Sequence, residues 1–352
     1  MKTTDATYTV HGSSEARAIL REHRPIDLHA DTLMWDRFGY DMLQRHAPPL
    51  PGARIMGHVD LPRMLDVPMG AQFFGIVTVP VPTRANRPSV IRQISSLHRS
   101  ATQSGGRLAI ATDMLDAIAA TRKNAVAAYV GVEGAHALDH DATNVEAYAR
   151  IGMRYLGLGH FTANDCCRPS GGFGTDESRG LTSFGYSVIH ECIRHGVVVD
   201  VAHCNRRGFI EACSTLRQNW QPAIVSHTGV RGVHDHWRNI DDLQLRAVAD
   251  TGGVVGIIFA GVFLGGDDPD AVVRHMTHVA ETVGDDHVAL GSDYDGFVKP
   301  VRGLTEIGML PNLVDAMLRA KWKPARIEKA LRTNVLRVLR DAPAKWDVTR
   351  LA

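Results

Sequence analysis

Val197-Val198-Val199-Asp200-Val201-Ala202-His203 is a run of mostly β-branched residues that ends in an imidazole, and Gly196 separates it from the amphipathic stretch 183–195. After another helix-length stretch comes a second run of the same kind, Ala223-Ile224-Val225-Ser226-His227. Short apolar strand, long amphipathic stretch, short apolar strand is the pattern of a parallel α/β fold. Reading outward in both directions, the same alternation recurs with strand-like runs at 25–31, 71–79, 127–133, 153–160, 197–203, 223–227, 253–259 and 287–293. Eight parallel strands are the number a closed (β/α)8 barrel of the TIM type needs. A doubly wound open sheet would alternate in the same way, so the positions of the polar residues have to decide between the two.

The stretches between the runs read as helices. Segment 183–195 opens with hydroxyl capping candidates and stops at Gly196, and 242–250 starts with acids and ends before Gly252 and Gly253. Segments 270–283 and 324–340 read likewise. Residues 32–70 are too many for a plain connection, so they are expected to form an insertion above the first strand that shapes a pocket. The expectation is one domain over 1–352, its barrel at about 25–341, with terminal extensions that pack on it or are flexible.

Composition narrows the function classes. With 39 basic and 38 acidic residues the formal charge is +1, and no basic block stands out, which argues against nucleic acid or an anionic membrane as partner. Residues 1–15 are polar, and the longest apolar stretch, 252–266, is short and rich in glycine, so neither a leader nor a membrane span is expected. The five cysteines, Cys166, Cys167, Cys192, Cys204 and Cys213, form no C-x-x-C pair, which suggests free thiols in a reducing, cytoplasmic setting. Cys166 and Cys167 are expected near the mouth as inert thiols. Eighteen histidines point toward metals or proton transfer.

Six of the eight runs end in a group able to bind metal or move a proton: His29 with Asp31, Glu133, His160, His203, His227 and Asp293. Barrel active sites occupy that rim, so the placement favours the barrel. In Ile26-Asp27-Leu28-His29-Ala30-Asp31 the i and i+2 side chains share a face and can grip one ion. Glu133 closes an apolar run, where an unpaired carboxylate would be costly and calls for a cation. His203 and His227 offer the neutral nitrogens that zinc favours. Asp293 is placed to exchange a proton with water and a leaving group, whereas Asp295, beside Gly296, reads as a turn former. His29, Asp31, Glu133, His203 and His227 exceed the needs of one tetrahedral zinc with an open position, so two Zn²⁺ sharing Glu133, with a bridging hydroxide as nucleophile, are expected. No lysine lies in any of the eight runs to serve as the bridge instead.

These motifs in this order, Asp27-Leu28-His29-Ala30-Asp31, Val132-Glu133-Gly134-Ala135-His136, Asp200-Val201-Ala202-His203, Ser226-His227 and Gly291-Ser292-Asp293-Tyr294-Asp295-Gly296, resemble the renal (membrane) dipeptidase family of zinc peptidases. Gly57-His58-Val59-Asp60-Leu61-Pro62-Arg63, Gly70-Ala71-Gln72-Phe73 and Gly252-Gly253-Val254-Val255-Gly256 are similar too. The resemblance implies a dipeptide substrate, a homodimer, and one zinc on His29, Asp31 and Glu133 with a second on Glu133, His203 and His227. It further implies Asp293 as acid/base, His160 as the group that steadies the oxyanion, and Arg238 as the clamp for the substrate's C-terminal carboxylate. A surface salt bridge is the alternative for Arg238, and His136 is expected to orient Glu133 or its loop.

The chain departs from the family's pattern at Phe161-Thr162-Ala163-Asn164-Asp165-Cys166-Cys167-Arg168, at Ile257-Ile258-Phe259-Ala260 and at Leu331-Arg332-Thr333-Asn334, which puts substrate preference in question rather than the metal site. The rival functions are hydrolysis of a lactone, phosphoester or N-acyl amino acid on the same barrel, and a non-catalytic metal- or ligand-binding protein.

Overall fold

Nine parallel strands form among the described residues of the computed structural model, which are 11–46, 55–81 and 83–342. They are β1 (Ile26–Ala30), β2 (Ala71–Ile76), β3 (Leu108–Ile110), β4 (Val126–Val132), β5 (Met153–Gly157), β6 (Val198–Asp200), β7 (Ala223–Thr228), β8 (Val254–Ile257) and β9 (Val288–Leu290). Each pairs with the next around a ring, except that β2 pairs directly with β4 from Ala71↔Ala127 to Ile76↔Val132, and β9 closes onto β1 at Leu290↔Asp27. The two edges of an open sheet are therefore joined, and the fold is the expected (β/α)8 barrel. Strand β3, which the sequence did not announce, lies alongside the first half of β4 through Leu108↔Val126 to Ile110↔Ala128, outside the ring of eight. The outermost parts of the expected terminal extensions, 1–10 and 343–352, lie outside the described residues.

Alternation along the strands sorts their side chains into two buried layers, because successive residues face opposite sides of a sheet. Ile26, Leu28, Phe73, Tyr129, Tyr155, Val198, Ile224, Val254 and Ala289 belong to one cluster, drawn from all eight strands of the ring. A set of that membership fills the barrel. Phe73 stacks on Tyr129 with ring centroids 4.5 Å apart. Their neighbours Phe74, Val130, Leu156, Val199, Val225 and Val255 belong to the second cluster, under the surrounding helices. Both faces being covered explains why these strands read as continuous apolar runs.

Three of the four expected helices form as read, at Ser183–His195, Asp242–Asp250 and Pro269–Val283. Thr182 accepts from the Gly185 N–H at the start of Ser183–His195, and Gly196 ends it in the left-handed region. Asp241 and Gln244 form a reciprocal capping box before Asp242–Asp250. The stretch 324–340 is not one helix: Pro324–Glu328 and Asn334–Asp341 flank a π-turn at Lys329–Thr333. Buried Asn334 donates to the carbonyls of Asp285 (2.7 Å) and Val288 (2.9 Å), and this anchorage to the foot of β9 sets the register after the widened turn.

Within the insertion after β1, Thr32–Phe38 forms a 3-10 helix and Leu61–Asp66 an α-helix, while 47–54 lie outside the described residues. Arg63, 3 % exposed, fastens it: its guanidinium donates to Asp60 Oδ2 (2.8 Å), the Gly57 carbonyl (2.7 Å) and Glu306 Oε2 (2.5 Å). Removing one partner of a buried ion pair strands the other charges, so Arg63→Met should cost about 3–5 kcal/mol. Denaturant unfolding monitored by circular dichroism measures this, and a loss below about 1 kcal/mol would contradict the assigned role.

Candidate metal centre

The closing of the ring brings the strand ends together on one side. His29 lies in β1 with Asp31 just beyond it, Glu133 directly follows β4, and His227 lies in β7. His160, His203 and Asp293 each stand three residues past the last residue of β5, β6 and β9. Gly75 of β2 leaves the room: a Cβ there would lie 2.3 Å from Asp31 Oδ1 and 2.8 Å from His29 Cε1.

Glu133 is the hub. Its Oε1 lies 3.1 Å from His203 Nε2 and 3.6 Å from both His29 Nε2 and His227 Nε2, and its Oε2 lies 3.4 Å from His160 Nε2. His29 Nε2 also approaches Asp31 Oδ1 at 3.2 Å and Asp293 Oδ1 at 4.0 Å. The Nε2 atoms of His203 and His227 face each other at 2.9 Å. Two lone pairs that close repel unless a proton or a cation shares them. His29 Nε2 and Asp31 Oδ1 are buried without a hydrogen-bond partner. Imidazole nitrogens and carboxylate oxygens within 4.8 Å of one another form three groups able to hold an ion: His29, Asp31 and Glu133; Glu133, His160 and His203; and His29, His227 and Asp293. This donor set fits a divalent metal such as zinc.

The remaining ring nitrogens are tied in place, which turns the Nε2 atoms inward. His29 Nδ1 meets the Tyr155 hydroxyl at 3.0 Å. His227 Nδ1 meets Ser226 Oγ at 2.9 Å, and that hydroxyl donates to Asp200 Oδ2 at 2.5 Å. Because the hydroxyl hydrogen is committed to Asp200, His227 donates its Nδ1–H to Ser226 and keeps a lone pair on Nε2. A matching pair stands across the barrel, where Ser292 donates to Asp27 from both N–H (2.8 Å) and Oγ (2.6 Å). Sequence reading assigned no role to Asp27, Tyr155, Asp200, Ser226 or Ser292, although a serine directly before His227 and before Asp293 was the available signal.

One other position differs from expectation. Asp295 does take a left-handed turn (φ 67°), yet it is fully buried and joins three segments: Thr32 Oγ1 donates to Oδ2 (2.6 Å), the His58 N–H to Oδ1 (2.8 Å) and Trp35 Nε1 to its carbonyl (2.9 Å). A turn former needs none of these bonds. His136 bonds Thr78 Oγ1 through Nε2 (2.9 Å) and its carbonyl accepts from Asn86, so it holds its loop. Arg238 is buried rather than a surface residue, and its Nη2 donates to the His227 carbonyl at 3.0 Å. The five cysteines are free and buried, with Cys167 Sγ and Cys204 Sγ 3.7 Å apart.

Burial opposes charge throughout, and proximity decides the outcome. Burial would strip the proton from His29, but Asp31, Glu133 and Asp293 hold it on, pushing the group up to about 10. Burial raises Asp31 to about 6 against the pull of His29, and lifts Asp293 well above the usual carboxylate range. His203 falls to about 3 through burial and Arg238, while Glu133, despite its burial, is held well below its usual value by His160, His29 and His203.

Comparison with known proteins gives the family. The profile of the membrane dipeptidase family (peptidase family M19) matches residues 13–349. The chain belongs to this family. As a member it is a metal-dependent dipeptidase. The dipeptidase is 30% identical to dipeptidase tcpJ of Claviceps purpurea over 333 residues, covering 90% of this chain and 77% of that one. Its fold matches the crystal structure of dipeptidase AC, an M19 metallopeptidase, with a TM-score of 0.81 at 23% identity, over 90% of this chain and 98% of that chain. It also matches a metallopeptidase from Rhodobacter sphaeroides liganded with a phosphinate mimic of L-Ala-D-Ala, with a TM-score of 0.80 at 24% identity, over 91% and 99% of the two chains.

A metal held by these donors would compete with protons for the same atoms, so zinc affinity should fall as pH drops through about 6, where burial places Asp31. Zinc binding at neutral pH should release the His29 proton, measurable by calorimetry in buffers of different ionisation enthalpy; affinity constant between about pH 8 and pH 5 would contradict it. Ser226→Ala should weaken zinc binding by about 10–100-fold by freeing the His227 ring.

Proposed function

We propose that the chain is a binuclear zinc dipeptidase in which His29, Asp31 and Glu133 hold one ion, Glu133, His203 and His227 the other, and Glu133 bridges them. The observation that carries this reading is the Glu133 carboxylate in the midst of four imidazoles, with His29 and Asp31 on one side and the 2.9 Å His203–His227 pair on the other. When bound, the ions would polarise the scissile carbonyl and lower the pKa of the attacking water.

Arg238 receives the substrate's C-terminal carboxylate; its guanidinium is buried, fixed at the His227 carbonyl, and suited to a planar oxyanion. His160, whose Nδ1 has no protein partner, turns Nε2 toward Glu133 and is placed to donate to the oxygen that gains charge. Asp293 takes the proton that the water gives up and returns it to the departing amine. Burial and the neighbouring carboxylates raise Asp293, so a proton can reside there between the two transfers. In this reading the whole chain is one domain with its barrel at about 25–341. A homodimer, as the family resemblance implies, and a cytoplasmic setting suited to five free thiols complete it.

Hydrolysis of L,L and L,D dipeptides by zinc-loaded protein, with C-terminal amides as controls, tests the assignment. The L,D series is included because the Rhodobacter sphaeroides relative was crystallised with an L-Ala-D-Ala mimic. Free dipeptides should be cleaved and their amides spared. Asp293→Asn should lower kcat by about 10²–10⁴ while still binding two metals per chain. Near-normal turnover in that variant would remove Asp293 from its role, and cleavage of amides at equal rate would remove Arg238 from its own.

A further inference from the structure

Three large aromatic side chains stand open at the same side of the metal centre. Phe161, directly after His160, is 44% exposed, with its ring centroid 4.7 Å from that of His160 and 5.0 Å from that of His203, edge-on to the latter. Trp237, directly before Arg238, is 46% exposed, and Phe173 is 83% exposed. A phenyl ring left in water against two site imidazoles loses the gain that burial would bring.

The backbone holds the three together. The Phe173 N–H donates to the Phe161 carbonyl (2.9 Å) and the Ala163 N–H to the Phe173 carbonyl (2.8 Å), so the segment around Phe173 folds back along Phe161. Trp237 lies on Gly171, where a Cβ would come within 2.2 Å of the indole ring. Trp237, His203 and Arg238 also line one cleft of about 830 Å³, whose wall sets Val201, Phe209 and Ile240 beside charged groups that include Glu177, Arg206 and Glu211. Two exposed rings thus stand beside the site, Phe161 against the imidazole of His203 and Trp237 next in sequence to the guanidinium of Arg238.

We propose that Phe161 and Trp237 are specificity-determining residues that select dipeptides with an apolar, preferably aromatic, side chain on the C-terminal residue. This rests on the dipeptidase reading above and on Arg238 as the carboxylate clamp. The carbon that bears the carboxylate also bears that side chain, so anchoring the one at Arg238 delivers the other to the wall beside it. Contact with the two rings removes apolar area from water for Phe or Leu, whereas the ring faces offer the head group of Lys or Glu no hydrogen-bond partner in exchange for the water it loses.

The test is kcat/KM for Ala-Xaa, with Xaa as Phe, Leu, Lys or Glu in the configuration that wild type cleaves, using zinc-loaded wild type, Phe161→Ala, Phe161→Leu and Trp237→Ala. Wild type should favour Phe and Leu over Lys and Glu by at least about tenfold. That ratio should fall by about tenfold in Phe161→Ala and in Trp237→Ala, and survive for Leu in Phe161→Leu, with zinc content as in wild type. A flat wild-type profile, or ratios unchanged in both alanine variants, overturns the proposal while leaving the dipeptidase reading intact. Failure of zinc-loaded wild type to cleave any dipeptide overturns that reading itself, and this inference with it.

Discussion

Six buried side chains, His29, Asp31, His160, His203, His227 and Asp293, crowd around the buried carboxylate of Glu133 at the open end of the barrel, and charge packed so densely must be neutralised from within. The three carboxylates hold a proton on His29 far above its ordinary range, while His203 is kept neutral. Both effects express the same demand for cations between the carboxylates and the neutral nitrogens. Protons meet that demand partially, and this donor set fits a divalent metal.

Such a centre depends on walls that do not give. Two serines supply part of the rigidity, Ser292 bonded to Asp27 and Ser226 bonded to Asp200, each joining strands that are neighbours in the ring. Burial raises both acids, and hydrogen bonds from N–H and O–H groups act against that rise, three at Asp200 from Ala202 and Ser226 and three at Asp27 from Gln72 and Ser292. Asp295 does the same for the insertion, drawing Thr32, Trp35 and His58 to the end of β9. The chemistry thereby rests on the barrel itself, while the side of the pocket bearing Phe161 and Trp237 rests on loops, where exchange of a side chain disturbs no strand pairing.

Much of this was legible in the chain. Apolar runs separated by longer amphipathic or polar stretches gave away the eight strands of the ring, since strands covered on both faces need continuous apolar sequence. The donors at their ends followed from the rule that barrel sites lie at the C-terminal rim. Strand β3 escaped notice because Leu108–Ile110 is too short to show a period, and the π-turn at Lys329–Thr333 because nothing local distinguishes it from an α-helix. Asp295 was read as a turn residue, and locally it is one; its bonds to Thr32 and His58 join positions more than two hundred residues apart.

By itself the sequence determined the kind of fold and the inventory of donors, because hydrophobic periodicity and residue chemistry are local properties of the chain. Only the tertiary structure decided which nitrogen of His227 faces Glu133, that burial pushes Asp293 upward, and that Phe161 lies against His203 beside the cleft that Trp237 shares with Arg238. Those depend on distances between atoms on different strands and loops, and burial and electrostatic interaction act through space, so their strengths are set only once the ring has closed.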